Sequence, residues 1–346
     1  MKILYAVQGT GNGHITRAIE IIPYLQLKGD VDILISGEQA EIDLPFKVKY
    51  RFKGLSFVFG KKGGIDLWNS YWNLSSLKLF KAIKSLDVKK YDLIISDFEP
   101  ISCWAAIKAK KPCIGLSNQV ATLHPLAPRP KKTDLIGKLV IQNYAPTTYN
   151  YGFHFKALDH NVFTPIIRRE VREIVPSHKG HYTVYLPSYD DERIYKTLKL
   201  FKSVKWHVFS KKCKKKYKED NVVFFPIQTE PFLLSMASSE GVLCNAGFGT
   251  TSEALFLKKK LLVIPMKNQF EQHCNAAMLE SMGVQVLKKL HPDLAFKISD
   301  WLKEDEYVEV DYPDITEKIV DTIVENHGGK ALMDMDFESN NYPLFQ

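Results

Sequence analysis

The chain lacks the features that would mark it for an unusual environment. It has five cysteines, Cys103, Cys113, Cys213, Cys244 and Cys274, odd in number, scattered and never spaced as a C-x-x-C pair. That pattern writes neither a disulfide framework nor a zinc ribbon, and a reducing cytoplasm fits it best. No apolar run approaches the ~20 residues of a membrane span. Met1 and Lys2 lead into only five apolar residues, Ile3 to Val7, too few for a signal-peptide core. Acidic residues are also short: 39 Asp and Glu against 47 Lys and Arg leave a formal charge of +8, which admits anionic partners such as nucleotides, nucleic acid or an acidic membrane face. What remains is ordinary. With 45% hydrophobic and 25% charged residues the chain is neither disordered nor collagenous, and 346 residues at roughly 150 per domain give about two domains.

The first half alternates short β-branched apolar runs with amphipathic stretches, the pattern of parallel strands joined by crossover helices. Strands are expected at Lys2 to Val7, Val31 to Ser36, Lys47 to Phe52, Leu93 to Ser96 and Cys113 to Leu116, with a last one near Tyr149 to Phe155. Helices are expected near His14 to Leu27, Asn69 to Leu86 and Ile101 to Ala109, the first with Ile15, Ala18, Ile19, Ile22 and Leu25 at helical spacing. Thr164-Pro165 and Val175-Pro176 interrupt the alternation and place a hinge. It restarts with strands at Tyr182 to Leu186, Trp206 to Phe209, Val222 to Phe225, Val242 to Cys244 and Leu261 to Ile264. The fold class is α/β: two Rossmann-like doubly wound domains facing a central cleft, where ligands meet the carboxyl ends of the strands. The expected division is 1–165, 166–312, and 313–346 for a closing helix near Ile315 to Val324 with a loosely ordered tail.

The first strand opens into Gln8-Gly9-Thr10-Gly11-Asn12-Gly13-His14. Gly9, Gly11 and Gly13 allow a tight turn and close approach of a ligand to a helix N-terminus. The spacing is not the dinucleotide G-x-G-x-x-G, and the second strand ends in Ile35-Ser36-Gly37 with no acid, which argues against an NAD-dependent dehydrogenase. His14 starts the helix at the cleft end of the sheet, and Asp97 ends another strand of that sheet, so the carboxylate could hold one ring nitrogen while the other acts as a base. The alternatives are a His that caps a turn and an Asp that caps the helix before Pro100.

In the second half Val242-Leu243-Cys244 runs into Asn245-Ala246-Gly247-Phe248-Gly249-Thr250-Thr251-Ser252-Glu253. A strand, a glycine turn and a helix start direct unpaired amides at a site that suits a diphosphate, and the hydroxyls of Thr250 and Thr251 could add donors. Glu253, one turn in, could accept from two neighbouring sugar hydroxyls or could simply complement the helix dipole. The next strand ends in Pro265-Met266-Lys267-Asn268-Gln269-Phe270-Glu271-Gln272, an acid and an amide side by side, a pairing suited to reading sugar hydroxyls.

Together, and in this order along nearly the whole chain, these segments resemble the UDP-sugar group of GT-B glycosyltransferases, families 1 and 28, the latter MurG-like. The resemblance implies that Gly247 to Thr251, with Asn245 and Ser188, bind the donor diphosphate, that Glu253 holds the ribose, that Ile227 and Gln228 meet the base, and that Glu271 and Gln272 read the transferred sugar. It implies His14 as the base that deprotonates the acceptor, with Asp97 behind it as in family 1. One departure is Asn245, where many family 1 members have His. Asn brings no charge, and Arg168 in the linker is a candidate cation for the diphosphate in its place.

The activity so implied is inverting transfer of a sugar, GlcNAc or another hexose, from a UDP-sugar to an acceptor hydroxyl. The UDP-sugar is a co-substrate, and the resemblance implies neither a cofactor nor a metal; the D-x-D at Asp334 to Asp336 follows no strand. The acceptor is open. The aromatic segment Leu67 to Trp72 with Leu74, Leu77, Phe80 and Ile83 could be core or could dock a lipid-linked acceptor, such as a glycolipid or cell-envelope precursor, at the inner face of the membrane. The cation run Lys211 to Lys216 could attract anionic lipid, but no nucleic-acid motif accompanies it and none is expected as a partner. Rival readings are a UDP-GlcNAc 2-epimerase-like enzyme and a catalytically silent UDP-sugar-binding or scaffold protein.

Overall fold

The computed structural model describes residues 1–37, 43–53, 58–59, 65–66, 77–130 and 134–329. The first domain is built on strands β1 (Lys2–Gln8), β2 (Asp30–Ser36), β3 (Val48–Phe52), β6 (Leu93–Asp97), β7 (Ile114–Ser117), β8 (Tyr149–Phe153) and β9 (Val162–Phe163), with a separate two-stranded ribbon of β4 (Val58–Phe59) and β5 (Ile65–Asp66). Its helices are α1 (Asn12–Lys28), α2 (Leu77–Ser85), α3 (Pro100–Lys108), α4 (Asn118–Thr122) and α5 (Leu135–Tyr144). The second domain is built on β10 (His181–Tyr185), β11 (Lys205–Ser210), β12 (Tyr217–Glu219), β13 (Val222–Pro226), β14 (Gly241–Asn245), β15 (Lys260–Ile264) and β16 (Gln285–Val286). Helices α6 (Arg169–Arg172), α7 (Asp191–Leu198), α8 (Thr229–Ser238), α9 (Phe248–Phe256), α10 (Phe270–Ser281), α11 (Ala295–Lys303) and α12 (Thr316–His327) complete the chain.

The two sheets repeat one plan. Their orders are β3-β2-β1-β6-β7-β8-β9 and β12-β13-β11-β10-β14-β15-β16, so winding reverses between β1 and β6 and again between β10 and β14. In open α/β sheets such reversals open a crevice at the strand carboxyl ends. His14 follows β1 and Asp97 ends β6, while Ser188 follows β10 and Asn245 ends β14. Both switch points therefore carry residues singled out from the sequence.

The central strands are buried on both faces. Ile3 to Val7 and Ile94 to Ile95 are almost inaccessible, as the unbroken apolar runs require. On α1 the residues Ile15, Ala18, Ile21, Ile22 and Leu25 face the core, so Ile21 takes the fully buried place assigned above to Ile19, which is only partly covered. Each of the Ile and Leu side chains contributes about 1.5–3 kcal/mol on burial. The C-terminal helix α12 returns to the first domain: it packs on α1, Lys28 pairs with Asp321 at 2.6 Å, and the Tyr151 hydroxyl lies 2.9 Å from His327 Nε2.

Several elements depart from the expectation. The strand expected near Tyr149 to Phe155 is β8, which ends at Phe153, but the two-residue β9 follows it as the last strand of the first sheet, and β12 and β16 add short edges. Strands of two or three residues carry too little periodicity to be read. The closing helix starts at Thr316 rather than Ile315 and runs on to His327. Leu67 to Trp72, Leu74 and Asp334 to Asp336 lie outside the described residues, while Phe80 is exposed and Ile83 buried. The cation run follows β11 on exposed backbone, with Cys213 alone tucked inward. All five cysteines are buried and unpaired.

Candidate active site

At the first switch point the loop after β1 packs on the end of β2. Gly9 N–H donates to Ser36 O at 2.7 Å, and a Cβ on Gly9 would sit 2.9 Å from Gly37 O and Ile35 Cγ2. Gly11 has a φ of 134°, a conformation that favours glycine, and α1 begins at Asn12. Gly13 already lies inside the helix with open space around it.

His14, in the first turn of α1, places Nδ1 2.8 Å from Asp97 Oδ1. Asp97 does not cap the helix before Pro100. Glu99 does, its carboxylate accepting from Ile101 and Ser102 N–H, which leaves Asp97 free to face His14. Phe98 between them adopts a φ of 56°, a turn that costs a non-glycine residue roughly 1–2 kcal/mol and that separates the two acids.

Arg17, one turn after His14, donates from Nε to Asp97 Oδ2 at 2.9 Å and from Nη2 to Asp97 Oδ1 at 2.5 Å. Asp97 is fully buried. Burial raises its pKa, but Arg17 and His14 outweigh burial and hold the carboxyl below its ordinary range. Sequence reasoning missed Arg17, although positions three apart on a helix share a face.

Two further residues were missed. Asn118 and Gln119, in α4 at the end of β7, reach across the cleft to Glu271 at the start of α10. Asn118 Nδ2 donates to Glu271 Oε1 at 2.8 Å and Gln119 Nε2 to Glu271 Oε2 at 3.0 Å. Asn118 Oδ1 accepts from Arg17 Nη1 at 3.2 Å. Beside them a Cβ on Gly137 of α5 would stand 2.6 Å from Phe270 Cβ, so the missing side chain lets the two domains approach closely. The available signal was the run Ser117-Asn118-Gln119 at a strand terminus, the same position rule that picked out Asp97.

In the second domain the turn after β14 leads into α9, capped by Gly247 without a side-chain bond. The first helical bond runs from Thr251 N–H to Gly247 O, so the amides of Phe248, Gly249 and Thr250 precede any helical acceptor. Several side chains differ from expectation. The Thr251 hydroxyl is buried and donates back to Gly247 O at 2.7 Å, so it offers nothing to a ligand, whereas Thr250 stays partly open. Phe248 packs its ring on Phe155, 5.0 Å between centroids, leaving only its backbone for the turn.

Asn245 donates to Ile264 O at 2.7 Å and accepts from the Ser188 hydroxyl at 3.0 Å. Both side chains thus tie the switch point together, and the Asn245 donation expected for a diphosphate is directed inward. Gln272 Oε1 accepts from Met266 N–H at 2.9 Å, and its Nε2 lies on the Gly247 side. Ile227 is half-buried and Gln228 exposed after β13.

Glu253 is held by Arg168, Nε to Oε1 at 2.6 Å and Nη2 to Oε2 at 2.9 Å. Arg168 therefore meets a carboxylate rather than standing free as a diphosphate cation. Burial lowers the Arg168 pKa but Glu253 raises it further, and the net shift is upward. Among the described residues no group of three His, Cys, Asp or Glu could hold a metal ion, and no helix is long and apolar enough to cross a membrane.

Residues 1–304 match a family model described as glycosyl transferase family 1. A glycosyltransferase of Methanosarcina mazei is 23% identical over 331 residues, covering 82% of this chain and 84% of that one. Among solved structures, Acinetobacter baumannii MurG superposes with a TM-score of 0.58 at 14% identity over 94% of this chain and 99% of its own. Phytolacca americana UGT2, complexed with UDP-2fluoro-glucose and pterostilbene, gives 0.57 at 13% identity over 94% of each. At such identities the structural likeness shows the fold, which is GT-B.

Proposed function

Because the chain belongs to glycosyl transferase family 1 and is a glycosyltransferase of the GT-B fold, we propose that it moves a hexose from a UDP-sugar to an acceptor hydroxyl, inverting the anomeric centre without a metal ion. The observation that carries this reading is the His14–Asp97 pair: a buried carboxylate 2.8 Å from Nδ1 leaves Nε2 as the basic atom on the cleft side. The acceptor hydroxyl loses its proton to Nε2 and attacks the anomeric carbon as the bond to the UDP oxygen breaks on the opposite face. Negative charge then grows on the diphosphate, where the Phe248, Gly249 and Thr250 amides and the dipole of α9 oppose it. In this reading Glu253 holds the ribose, Ile227 and Gln228 flank the base, and Glu271 with the Gln272 amide reads the transferred sugar, GlcNAc among the hexoses. Ser188 and Asn245 shape the diphosphate turn through their bond to each other. UDP-2fluoro-glucose in UGT2 supports the donor class.

Residues 1–165 would then bind the acceptor and 166–312 the donor, with α12 closing the first domain. For the acceptor, the +8 charge and the exposed Leu135, Ile136 and Leu139 of α5 support a lipid-linked hydroxyl at the cytoplasmic membrane face.

A UDP-sugar panel assayed in EDTA for UDP release tests the reading. His14→Ala should lose at least ~100-fold in turnover, the scale of general-base removal, and the product anomer read by NMR should be inverted. Retained configuration, a metal requirement or near-normal turnover in His14→Ala would contradict it. Sugar interconversion without acceptor would indicate an epimerase instead.

A further inference from the structure

Gln119 spans the cleft through one atom. Its Nε2 lies 3.0 Å from Glu271 Oε2 and 3.3 Å from His14 Nε2. A carboxylate can only accept, so the atom facing Glu271 is the amide nitrogen, and its second hydrogen is directed at His14. His14 then accepts at Nε2, with Nδ1–H donating to Asp97 Oδ1 at 2.8 Å; Arg17 Nη2, 3.1 Å from Nδ1, has its closer acceptor in the same Asp97 oxygen at 2.5 Å. The bond to the charged Glu271 is shorter and stronger than the bond to the neutral ring, so the contact with His14 depends on the anchor at Glu271. Gln119 is 5% exposed, and its Oε1 is buried with no partner among the described residues. Neighbouring Asn118, by contrast, is satisfied on both sides, by Arg17 and by Glu271.

Resting on the reading in which His14 is the base and Glu271 meets the donor sugar, we propose that Gln119 is a positioning residue that links occupancy at Glu271 to access at His14. With Glu271 free, the amide is held across the cleft and caps the basic lone pair. A sugar hydroxyl that engages Glu271 removes the stronger of the amide's two anchors, and the acceptor hydroxyl replaces the amide at Nε2. The unmet Oε1 is then available to accept from a substrate hydroxyl. The cap orders the events: the base is exposed to a hydroxyl, water included, only after the sugar has arrived.

The test needs neither donor nor acceptor. Diethyl pyrocarbonate acylates an accessible, unprotonated imidazole nitrogen, and peptide mass spectrometry reads the rate at His14 in the ligand-free full chain. Gln119→Met and Glu271→Met should each speed modification of His14 at least ~5-fold, and the double variant should be no faster than the faster single one, the non-additivity of residues acting through one another. Nitrogen NMR of the imidazole should show the His14 Nε2 resonance moving in the same variants. His154, 1% exposed, is the internal control whose slow modification must persist if the fold is intact. Where Gln119→Met opens His154 as well, Gln119→Leu, which neither donates to His14 nor brings a charge beside it, takes its place with the same expectation at His14. The proposal is overturned if His14 reacts within ~2-fold of wild type in the folded Gln119 variant, or if the two single effects multiply as independent sites would. Calorimetry with UDP on the same proteins keeps the parent reading separate: intact UDP binding with an unchanged His14 rate removes the coupling alone, whereas no UDP binding in wild type removes the donor-site reading.

Discussion

Arg168 and Glu253 are joined by two parallel hydrogen bonds, Nε to Oε1 at 2.6 Å and Nη2 to Oε2 at 2.9 Å. Arg168 lies in the segment between the two sheets and Glu253 one turn into the helix that starts at the glycine turn of the donor domain. The connection between the domains is thus fastened to the helix that would hold the nucleotide. A ribose that takes Glu253 must share the carboxylate with Arg168.

Breaking that pair should destabilise the chain, because each side chain is largely covered, 13% and 11% exposed. Removing one partner of a charge-assisted pair leaves the other desolvated, and Arg168→Met should cost about 1–3 kcal/mol, read as a lower urea midpoint with unchanged slope. Arg169→Met, beside it but in an exposed pair with Glu173, should leave the midpoint nearly unchanged.

Arg17 should matter more. It is 7% exposed and its partner Asp97 is fully buried, so Arg17→Met strands a carboxylate in the core at a cost of about 3–5 kcal/mol, again measurable by urea unfolding.

The same pair sets an acid limit. The Asp97 pKa is lowered in the folded chain, so its stabilisation is present above the ordinary carboxylate range and is lost as pH falls through the lowered folded value. Asp97→Asn should therefore show a shallower loss of stability on acidification than wild type when urea midpoints are followed from neutral to acidic pH. An equally steep loss in the variant would remove Asp97 from the acid response.

The glycines of the first loop should separate by position. Gly9→Ala drives a Cβ to 2.9 Å from Gly37 O, a backbone atom that cannot step aside, and should cost about 1–3 kcal/mol. Gly13 sits in α1 with nothing near its missing side chain, so Gly13→Ala should gain about 0.5–1 kcal/mol from helix propensity. Thermal or urea unfolding of the two variants checks the contrast.

The long buried strands and the strand-to-loop transitions were legible because a parallel sheet leaves an unbroken apolar run followed by a glycine or polar turn, as at Ile3 to Gly9 and Val242 to Gly247. That pattern brought His14 to Asp97, whereas Asn245 and Ser188 were picked out by the family resemblance and only the fold sets them beside each other. The sequence could not show where the hydrogen bonds of the polar residues end. The Thr251 hydroxyl and the Asn245 amide are adjacent to the glycine turn, yet their donors go inward to Gly247 O and Ile264 O. Partners from distant segments were equally hidden: Arg168 meets Glu253, and Gln119 meets Glu271, by virtue of tertiary placement that no local spacing encodes.

The most direct test of the donor site is thermal unfolding with UDP in EDTA, wild type against Glu253→Ala. At ~100 times its dissociation constant a ligand stabilises the native state by ~2.7 kcal/mol. A rise in the wild-type transition without metal, much reduced in Glu253→Ala, is the expected result. An equal rise in both proteins would take Glu253 out of the donor site, and no rise in wild type would contradict a UDP-sugar donor.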